Sequence, residues 1–137
     1  MGKLILITGY DNEHLVKRAF ELHSQGGYVH LWPEKQSAGE HYIFPQAEQF
    51  RIGLDYAGLD YTRGDSSTIV LATHSDHVFN GIRVGIKQGK LDHQLVQFRL
   101  CETGKDDIVL VPNKDARLDT WPHGFFDQLE LALALLL

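Results

Sequence analysis

Residues 68–83, TIVLATHSDHVFNGIR, combine three features that together restrict the fold of this chain. A β-branched apolar run predicts a buried strand, His-Ser-Asp-His predicts a turn, and the apolar spacing that follows predicts an amphipathic helix. A strand leading directly into a helix is the building unit of open α/β sheets. Such sheets carry their chemistry at the carboxyl ends of strands, so this polar turn is the first candidate site.

Short apolar runs elsewhere predict the other strands. Leu4 to Thr8 (LILIT) and Tyr28 to Trp32 (YVHLW) are typical of central parallel strands. Leu95 to Cys101 and Ile108 to Val111 predict a β-hairpin, and Arg117 to Thr120 predicts a third short strand. The order βαβ…βαβββα indicates an α/β fold. We predict a mixed, largely parallel sheet flanked by helices, in a single compact domain over residues 1–137.

Two internal helices are predicted from caps and apolar spacing. Asp11 or Asn12 caps the first helix, and Gly26-Gly27 ends it. The apolar stripe of the first helix comprises Leu15, Val16, Ala19, Phe20 and Leu22. Ser75 or Asp76 caps the second helix, which Gly89 ends. The residues of the second helix expected to face the core are Val78, Phe79, Ile82 and Ile86.

Two further segments are harder to interpret. Residues 34–67 include loop-like stretches, and IFPQAEQFRIGLDYAGLDY within them is compatible with one or two short strands or an irregular excursion. The last helix is predicted to begin near His123 or Gly124 and to run to Leu137. Its end, LELALALLL, is apolar on nearly every side, and such a helix needs protein on every side. We therefore expect it to lie in a deep groove or to contact a protein partner or a second copy of the chain.

Composition narrows the classes of function. A formal net charge of −5 at pH 7 and the short basic patches disfavour independent nucleic-acid binding. The single cysteine, Cys101, excludes an internal disulfide and a multi-cysteine zinc motif, and its apolar surroundings indicate a core position. No run approaches the roughly 20 apolar residues of a membrane span. The seven-residue apolar start is too short for a signal peptide, so we expect a cytoplasmic protein.

Two segments together resemble a known family. TIVLATHSDHVFNGIRVGIKQGKL, followed some thirty residues later by WPHGFFDQ, resembles the C-terminal part of predicted ATPases with ABC/SMC-like heads. These ATPases are related to the overcoming-lysogenization-defect family, which is often carried on phages or in anti-phage defence loci. The resemblance covers roughly Ile69 to Gln128. It implies a P-loop-NTPase-like fold that binds Mg-ATP.

The resemblance also implies roles for particular residues. His74 matches the switch histidine, whose imidazole approaches the γ-phosphate, and Asp76 would hold the turn or a subunit contact. The implied nucleotide-binding residues are Gly9, Tyr10, Asp11, Asn12, His74, Ser75 and Asp76. Those in the first loop, Gly9 to Asn12, would contact phosphate through backbone N–H groups alone.

The N-terminal half departs from the family pattern. A phosphate loop needs several glycines and a Lys-Ser or Lys-Thr pair, whereas Gly9 is followed by Tyr-Asp-Asn-Glu. In YVHLWPE, Leu31 and Trp32 stand where the magnesium-binding acids belong. Because phosphoryl transfer depends on those charges, independent ATP hydrolysis is not expected. The chain is predicted to be a protein-interaction or weak nucleotide-binding module, such as a phage-encoded protein that engages an ATPase.

The same turn allows a second hypothesis. His74, Asp76 and His77 resemble the second half of the His-x-His-x-Asp-His signature of metallo-β-lactamase-like hydrolases, which use zinc to activate water. The first histidine of that signature falls at Ala72. The remaining ligands would have to come from His41, His93, His123, Asp55 or Asp60. The segment WPHGFFDQ has no counterpart in that family and is interpreted as an aromatic clamp that fastens the last helix to the sheet.

Overall fold

The computed structural model describes residues 1–23, 27–33 and 45–136, and the side chains of 128–130 are left out of the description. Within these ranges the chain forms one five-stranded sheet and four α-helices. The strands are β1 (Leu4–Thr8), β2 (Tyr28–Trp32), β3 (Ile69–Thr73), β4 (Val96–Leu100) and β5 (Ile108–Leu110). The helices are α1 (Asn12–Leu22), α2 (Gln46–Ala57), α3 (Asp76–Lys87) and α4 (Gln128–Leu136). None of the described helices has the length and apolar character needed to cross a bilayer.

The sheet has the order β2-β3-β1-β4-β5. The first four strands are parallel, and β5 pairs antiparallel with β4. The predicted α/β fold, with a mixed and largely parallel sheet flanked by helices, is confirmed. The predicted hairpin is also confirmed, as β4 and β5.

Burial explains the apolar runs of the central strands. Every residue of β1 and of β3 is buried, because each of these strands has a strand on both sides and a helical layer or loop on both faces. A strand covered on both faces has no reason to alternate polar and apolar residues. In β4, by contrast, buried and half-buried residues alternate.

Two apolar clusters lie on opposite faces of the sheet. On one face, α2 and α3 pack against each other and the sheet. On the other face, α1 packs over β1 and β3, with Leu15, Ala19 and Cys101 in its cluster. The four residues of α3 predicted to face the core, Val78, Phe79, Ile82 and Ile86, are all buried.

The prediction for α1 is partly corrected. Asp11 caps it as expected, but the helix ends at Leu22, before Gly26-Gly27, of which 26 lies outside the described residues. Phe20, expected in the apolar stripe, is 56% exposed. At about 100° per residue, Leu15, Ala19 and Leu22 share one face, and Phe20 is turned away from it.

The interpretation of IFPQAEQFRIGLDYAGLDY as short strands or an irregular excursion was wrong where the structure describes it. Residues 46–57 form the helix α2, which begins after Pro45. Gly53 and Ala57 are buried on its inner face, against α3. Because the inner face of α2 uses these two small residues, and glycine is a poor helix former, the sequence lacks the apolar periodicity from which a helix is predicted. Residues 34–44 lie outside the description.

The region before the last helix also differs from the prediction. Residues 117–120 form no strand. They follow a turn over residues 113–117, in which Asn113 Oδ1 accepts hydrogen bonds from the N–H groups of Asp115 and Arg117. The last helix begins at Gln128, later than His123 or Gly124. Gly124 (φ 87°) and Phe126 (φ 49°) have left-handed backbone, which a right-handed helix cannot include.

The WPHGFFDQ segment forms an aromatic cluster with the core. Phe79 of α3 contacts Phe98 of β4 edge-on and stacks on Phe126 with ring centroids 4.6 Å apart. Trp121 and Phe125 also contact Phe79, and Trp121 Nε1 donates to the Phe125 carbonyl at 2.6 Å. The segment is therefore an aromatic clamp, but it fastens the loop before α4 to α3 and β4.

Candidate functional site

A crevice opens between the carboxyl ends of β1 and β3. These strands are neighbours in the sheet, and the helices that follow them, α1 and α3, lie on opposite faces. The loops after the two strands, residues 9–11 and 74–75, therefore separate from each other. Such a switch point is where open α/β sheets bind their ligands. The crevice is the candidate functional site.

One hydrogen bond spans the crevice. His74 Nε2 lies 2.7 Å from Oδ1 of Asn12, at the start of α1. With the amide oxygen as acceptor, Nε2 donates, and Nδ1 of a neutral His74 keeps its lone pair. The structure thus brings together His74 and Asn12, two of the residues implied by the ATPase resemblance, from opposite sides of the switch point.

The charge on Asp11 opposes phosphate binding at the start of α1. Its Oδ1 accepts the N–H groups of Glu13 (3.0 Å) and His14 (3.2 Å), and its Oδ2 accepts the hydroxyl of Thr103. The His14 N–H and then the Thr103 hydroxyl lower the pKa of this carboxyl, so Asp11 is anionic at neutral pH. Two of the N-terminal amides that an anion would use are therefore occupied by a carboxylate.

Gly9 has a structural role in this loop. A Cβ added there would overlap the carbonyl of Cys101, because the backbone after β1 runs directly against the end of β4. The Cys101 N–H donates to the Thr8 carbonyl at 2.8 Å and extends the pairing past the strand ends. The close approach of these two backbone segments explains why residue 9 is a glycine, and phosphate binding is not needed to explain it.

The remaining residues of the HSDH turn do not converge on one point. Ser75 caps α3, accepting the Val78 N–H at 3.1 Å and donating to Oε1 of Gln49 at 2.7 Å. Asp76 and His77 face each other, with 3.6 Å between Oδ1 and Nε2. His74 is directed to Asn12 instead.

The arrangement does not favour the zinc hypothesis. No group of three His, Cys, Asp or Glu side chains within the described ranges is placed to hold a metal ion. The other proposed ligands are engaged elsewhere. His93 contacts the Pro112 carbonyl, His123 pairs with Asp127, Asp55 pairs with Arg51, and Asp60 pairs with Arg63. His41 lies outside the described residues.

Two cavities adjoin His74. The smaller, of about 170 Å³, lies between Gly9, Tyr10 and His74 on one side and Gly124, Phe126 and Asp127 on the other. The larger, of about 510 Å³, is mostly apolar and includes Leu31 and Trp32 in its walls. The two positions where magnesium-binding acids would stand thus form an apolar wall.

Four residues that line the smaller cavity were missed by the sequence analysis. One is Thr8, the last residue of β1. Gly124, Phe126 and Asp127 belong to a segment interpreted there as structural. Asp127 Oδ2 accepts the Gly124 N–H at 3.0 Å, which holds the carboxylate at the cavity. The only available signal was Asp127 itself, one acid following a run of aromatic residues.

Comparison of the chain with protein-family models, with curated proteins and with solved structures finds no match. Functional inference therefore depends on the chemistry of the chain's own residues.

A second polar cluster, away from the crevice, holds β5 to the rest of the fold. Asp107 Oδ2 accepts Nε of Arg18 at 2.8 Å and a guanidinium nitrogen of Arg99 at 3.0 Å. Burial opposes ionisation of Asp107, but hydrogen bonds from Arg18, Arg99 and Cys101 outweigh it and lower its pKa. Burial, with the Asp107 charge, raises the pKa of the Cys101 thiol to about 12, so Cys101 is not a nucleophile at neutral pH.

Replacing Asp107 by asparagine should lower the free energy of unfolding by about 2 kcal/mol at pH 7, because two partly buried guanidinium groups lose their counter-charge. Urea denaturation measures the loss, and the exposed neighbour Asp106→Asn serves as the control. The pKa of Asp107 is lower in the folded chain than the unfolded value of about 4. Its stabilisation is therefore present above that value and is lost as the pH falls through the folded-state pKa. A difference between wild type and variant that persists undiminished at low pH would contradict this assignment.

Proposed function

We propose that this chain is a protein-interaction module that binds another protein chain through α4 and does not hydrolyse ATP by itself. The observation that carries the proposal is the exposure of the leucines of α4. Their exposed fractions are 39% for Leu131, 48% for Leu133, 89% for Leu135 and 81% for Leu136. Exposed apolar surface of this kind marks interaction sites.

The leucines of α4 are spread around the helix. At about 100° per residue, Leu131, Leu133, Leu135 and Leu136 span about 200° of its circumference. One flat surface cannot cover such a helix, whereas an apolar groove or a bundle of helices can. The alternative expectation, that α4 lies in a deep groove of its own chain, does not agree with these exposed fractions.

The crevice supports the proposed lack of ATPase activity. Its smaller cavity has no lysine or arginine among its described lining residues, and it includes the carboxylate of Asp127. Asp11 adds a second negative charge at the start of α1. The phosphates of ATP and their transition state need cations at such a position. The hypothesis of a protein-interaction module therefore has better support than the hypothesis of weak nucleotide binding.

The resemblance to ATPase heads suggests the class of partner. A chain that resembles such heads in the THSDHVFNGIR and WPHGFFDQ segments, but has no phosphate loop of their kind, is suited to associate with a protein of head type. A second copy of the chain is the other candidate for the position against α4. The assignment to phage or defence functions depends on the same resemblance.

Sedimentation of the full chain over a range of concentrations tests the role of α4. We expect reversible self-association of the wild type at high concentration, because no other protein is present to cover the leucines. The double variant Leu133→Glu/Leu135→Glu should remain monomeric. Leu59→Glu is the matched control, since Leu59 is 47% exposed on another part of the surface, and it should behave as wild type.

The outcomes separate the two parts of the proposal. A wild type that is monomeric at every concentration, like the double variant, would overturn a second copy of the chain as the partner of α4. Magnesium-dependent ATP hydrolysis by the purified chain, lost in His74→Ala, would instead overturn the proposed lack of ATPase activity.

A further inference from the structure

The smaller cavity of the crevice has the chemistry of a cation site. We propose that it binds a small organic cation, an alkylammonium or guanidinium group, against Asp127 and between the rings of Tyr10 and Phe126. The site lies directly before α4, but it uses none of the exposed leucines of that helix, so it is a different surface from the one proposed above.

Asp127 supplies the charge. Its side chain is only 15% exposed, and Oδ2 takes both of its partners in the described chain, the Gly124 N–H at 3.0 Å and Nδ1 of His123 at 3.7 Å. Oδ1 has no partner among the described residues, and Asp127 lines the cavity. A largely buried carboxylate without a full counter-charge is costly, and a bound cation would relieve that cost.

Two aromatic rings complete the site. The hydroxyl of Tyr10 lies over Gly124, where an added Cβ would come within 2.6 Å of it. Phe126 also lines the cavity and stacks on Phe79. Ammonium and guanidinium groups are attracted to aromatic faces, most strongly where water is excluded.

The backbone at Phe126 is a second sign of a functional site. Its φ of 49° lies in the left-handed region, which is unfavourable for a bulky aromatic residue. Strain of this kind persists only where the surroundings impose it, and it is concentrated at ligand sites. At this left-handed position of the backbone, Phe126 and the next residue, Asp127, both line the smaller cavity.

The size and charge of the smaller cavity exclude ATP, the ligand that the ATPase resemblance implies. A cavity of about 170 Å³ is comparable to one that holds benzene, so it admits a guanidinium group or a short amine but not a nucleotide. The described lining also has no lysine or arginine to meet a phosphate. The cation can come from a free amine or from a lysine or arginine side chain of a protein partner, since both offer the same group.

Titration of the ¹⁵N-labelled full chain, followed by NMR, tests the proposal. The probes are ethylguanidinium chloride and butylammonium chloride, with ethylurea as the neutral analogue and sodium chloride as the ionic-strength control. We expect saturable shifts of the Gly9, Tyr10, Gly124 and Asp127 amides, in the millimolar range that suits so few ligand atoms. Ethylurea and sodium chloride should leave these amides unchanged.

Variants make the test specific. Asp127→Asn keeps an acceptor for the Gly124 N–H and should weaken binding of both cations at least tenfold, whereas the exposed acid Asp119 can be replaced by Asn without effect. Tyr10→Leu, which leaves Asp127 in place, should weaken binding severalfold. Equal affinity for ethylurea and ethylguanidinium, or an unchanged affinity in Asp127→Asn, would overturn the proposal. Shifts of these amides by Mg-ATP and not by the cations would also overturn it.

A final comparison separates the sources of the cation. Blocked arginine and lysine amides imitate a side chain presented by a protein partner. Binding of these amides at least as tightly as the small cations assigns the cavity to a partner side chain. Markedly weaker binding assigns it to a free amine.

Discussion

Replacing Phe79 by alanine should lower the free energy of unfolding by about 4 kcal/mol, the largest single loss we expect from truncating a core side chain. Phe79 is 1% exposed and contacts Phe98, Trp121, Phe125 and Phe126. Its removal leaves a void among four rings, one held by β4 and three by the segment before α4. The surrounding structure cannot close such a void easily.

Urea denaturation of the two proteins measures this difference. Phe20→Ala is the matched control, because the same atoms are removed from a ring that is mostly exposed, and its effect should stay within about 0.5 kcal/mol. A loss below about 1 kcal/mol for Phe79→Ala would show that the aromatic clamp is not packed as described.

Replacing Gly81 by alanine should cost about 3 kcal/mol, although alanine is the better helix former. A Cβ at Gly81 would overlap the carbonyl of Phe50 and come within 2.9 Å of the Gly53 Cα. Both obstacles belong to the backbone of α2, so α2 and α3 would have to separate. No rearrangement of a flexible side chain can relieve this overlap.

Gly58→Ala is the control for this prediction. Gly58 follows the last residue of α2, and an added Cβ there meets its nearest atom at 3.5 Å, which is an ordinary contact. Its φ of −85° suits alanine, so the control should be neutral or slightly stabilising. Equal stability of the two variants would mean that α2 and α3 are farther apart than described.

The fold could be predicted from the sequence where burial leaves a local pattern. β1 and β3 are covered on both faces, so their residues are continuously apolar, and α3 has one apolar face. α2 was missed because its inner face uses Gly53 and Ala57, whose small size serves close packing against α3 and gives little apolar signal. The extent of α4 was misjudged because the left-handed residues 124 and 126 have no distinctive sequence pattern.

The candidate site was predictable only in part, for a similar reason. His74 and Asn12 follow adjacent parallel strands, so strand order alone places them at one edge of the sheet. Asp127 reaches that edge through the aromatic cluster and the turn at Phe126, which depend on contacts between distant parts of the chain. A side chain that is positioned by such long-range contacts cannot be recognised as a site residue from its spacing in the sequence.

The strand order also has a consequence for the making of this protein in a cell. β1 pairs with Ile69–Ala72 on one side and with Val96–Leu100 on the other. At a synthesis rate of about 5–20 residues per second, the segment LILIT leaves the ribosome several seconds before its second partner exists. An unpaired, uncharged, β-branched strand is prone to pair with other chains. The interval before β4 is made is therefore when we expect newly made copies of this protein to be most prone to aggregation.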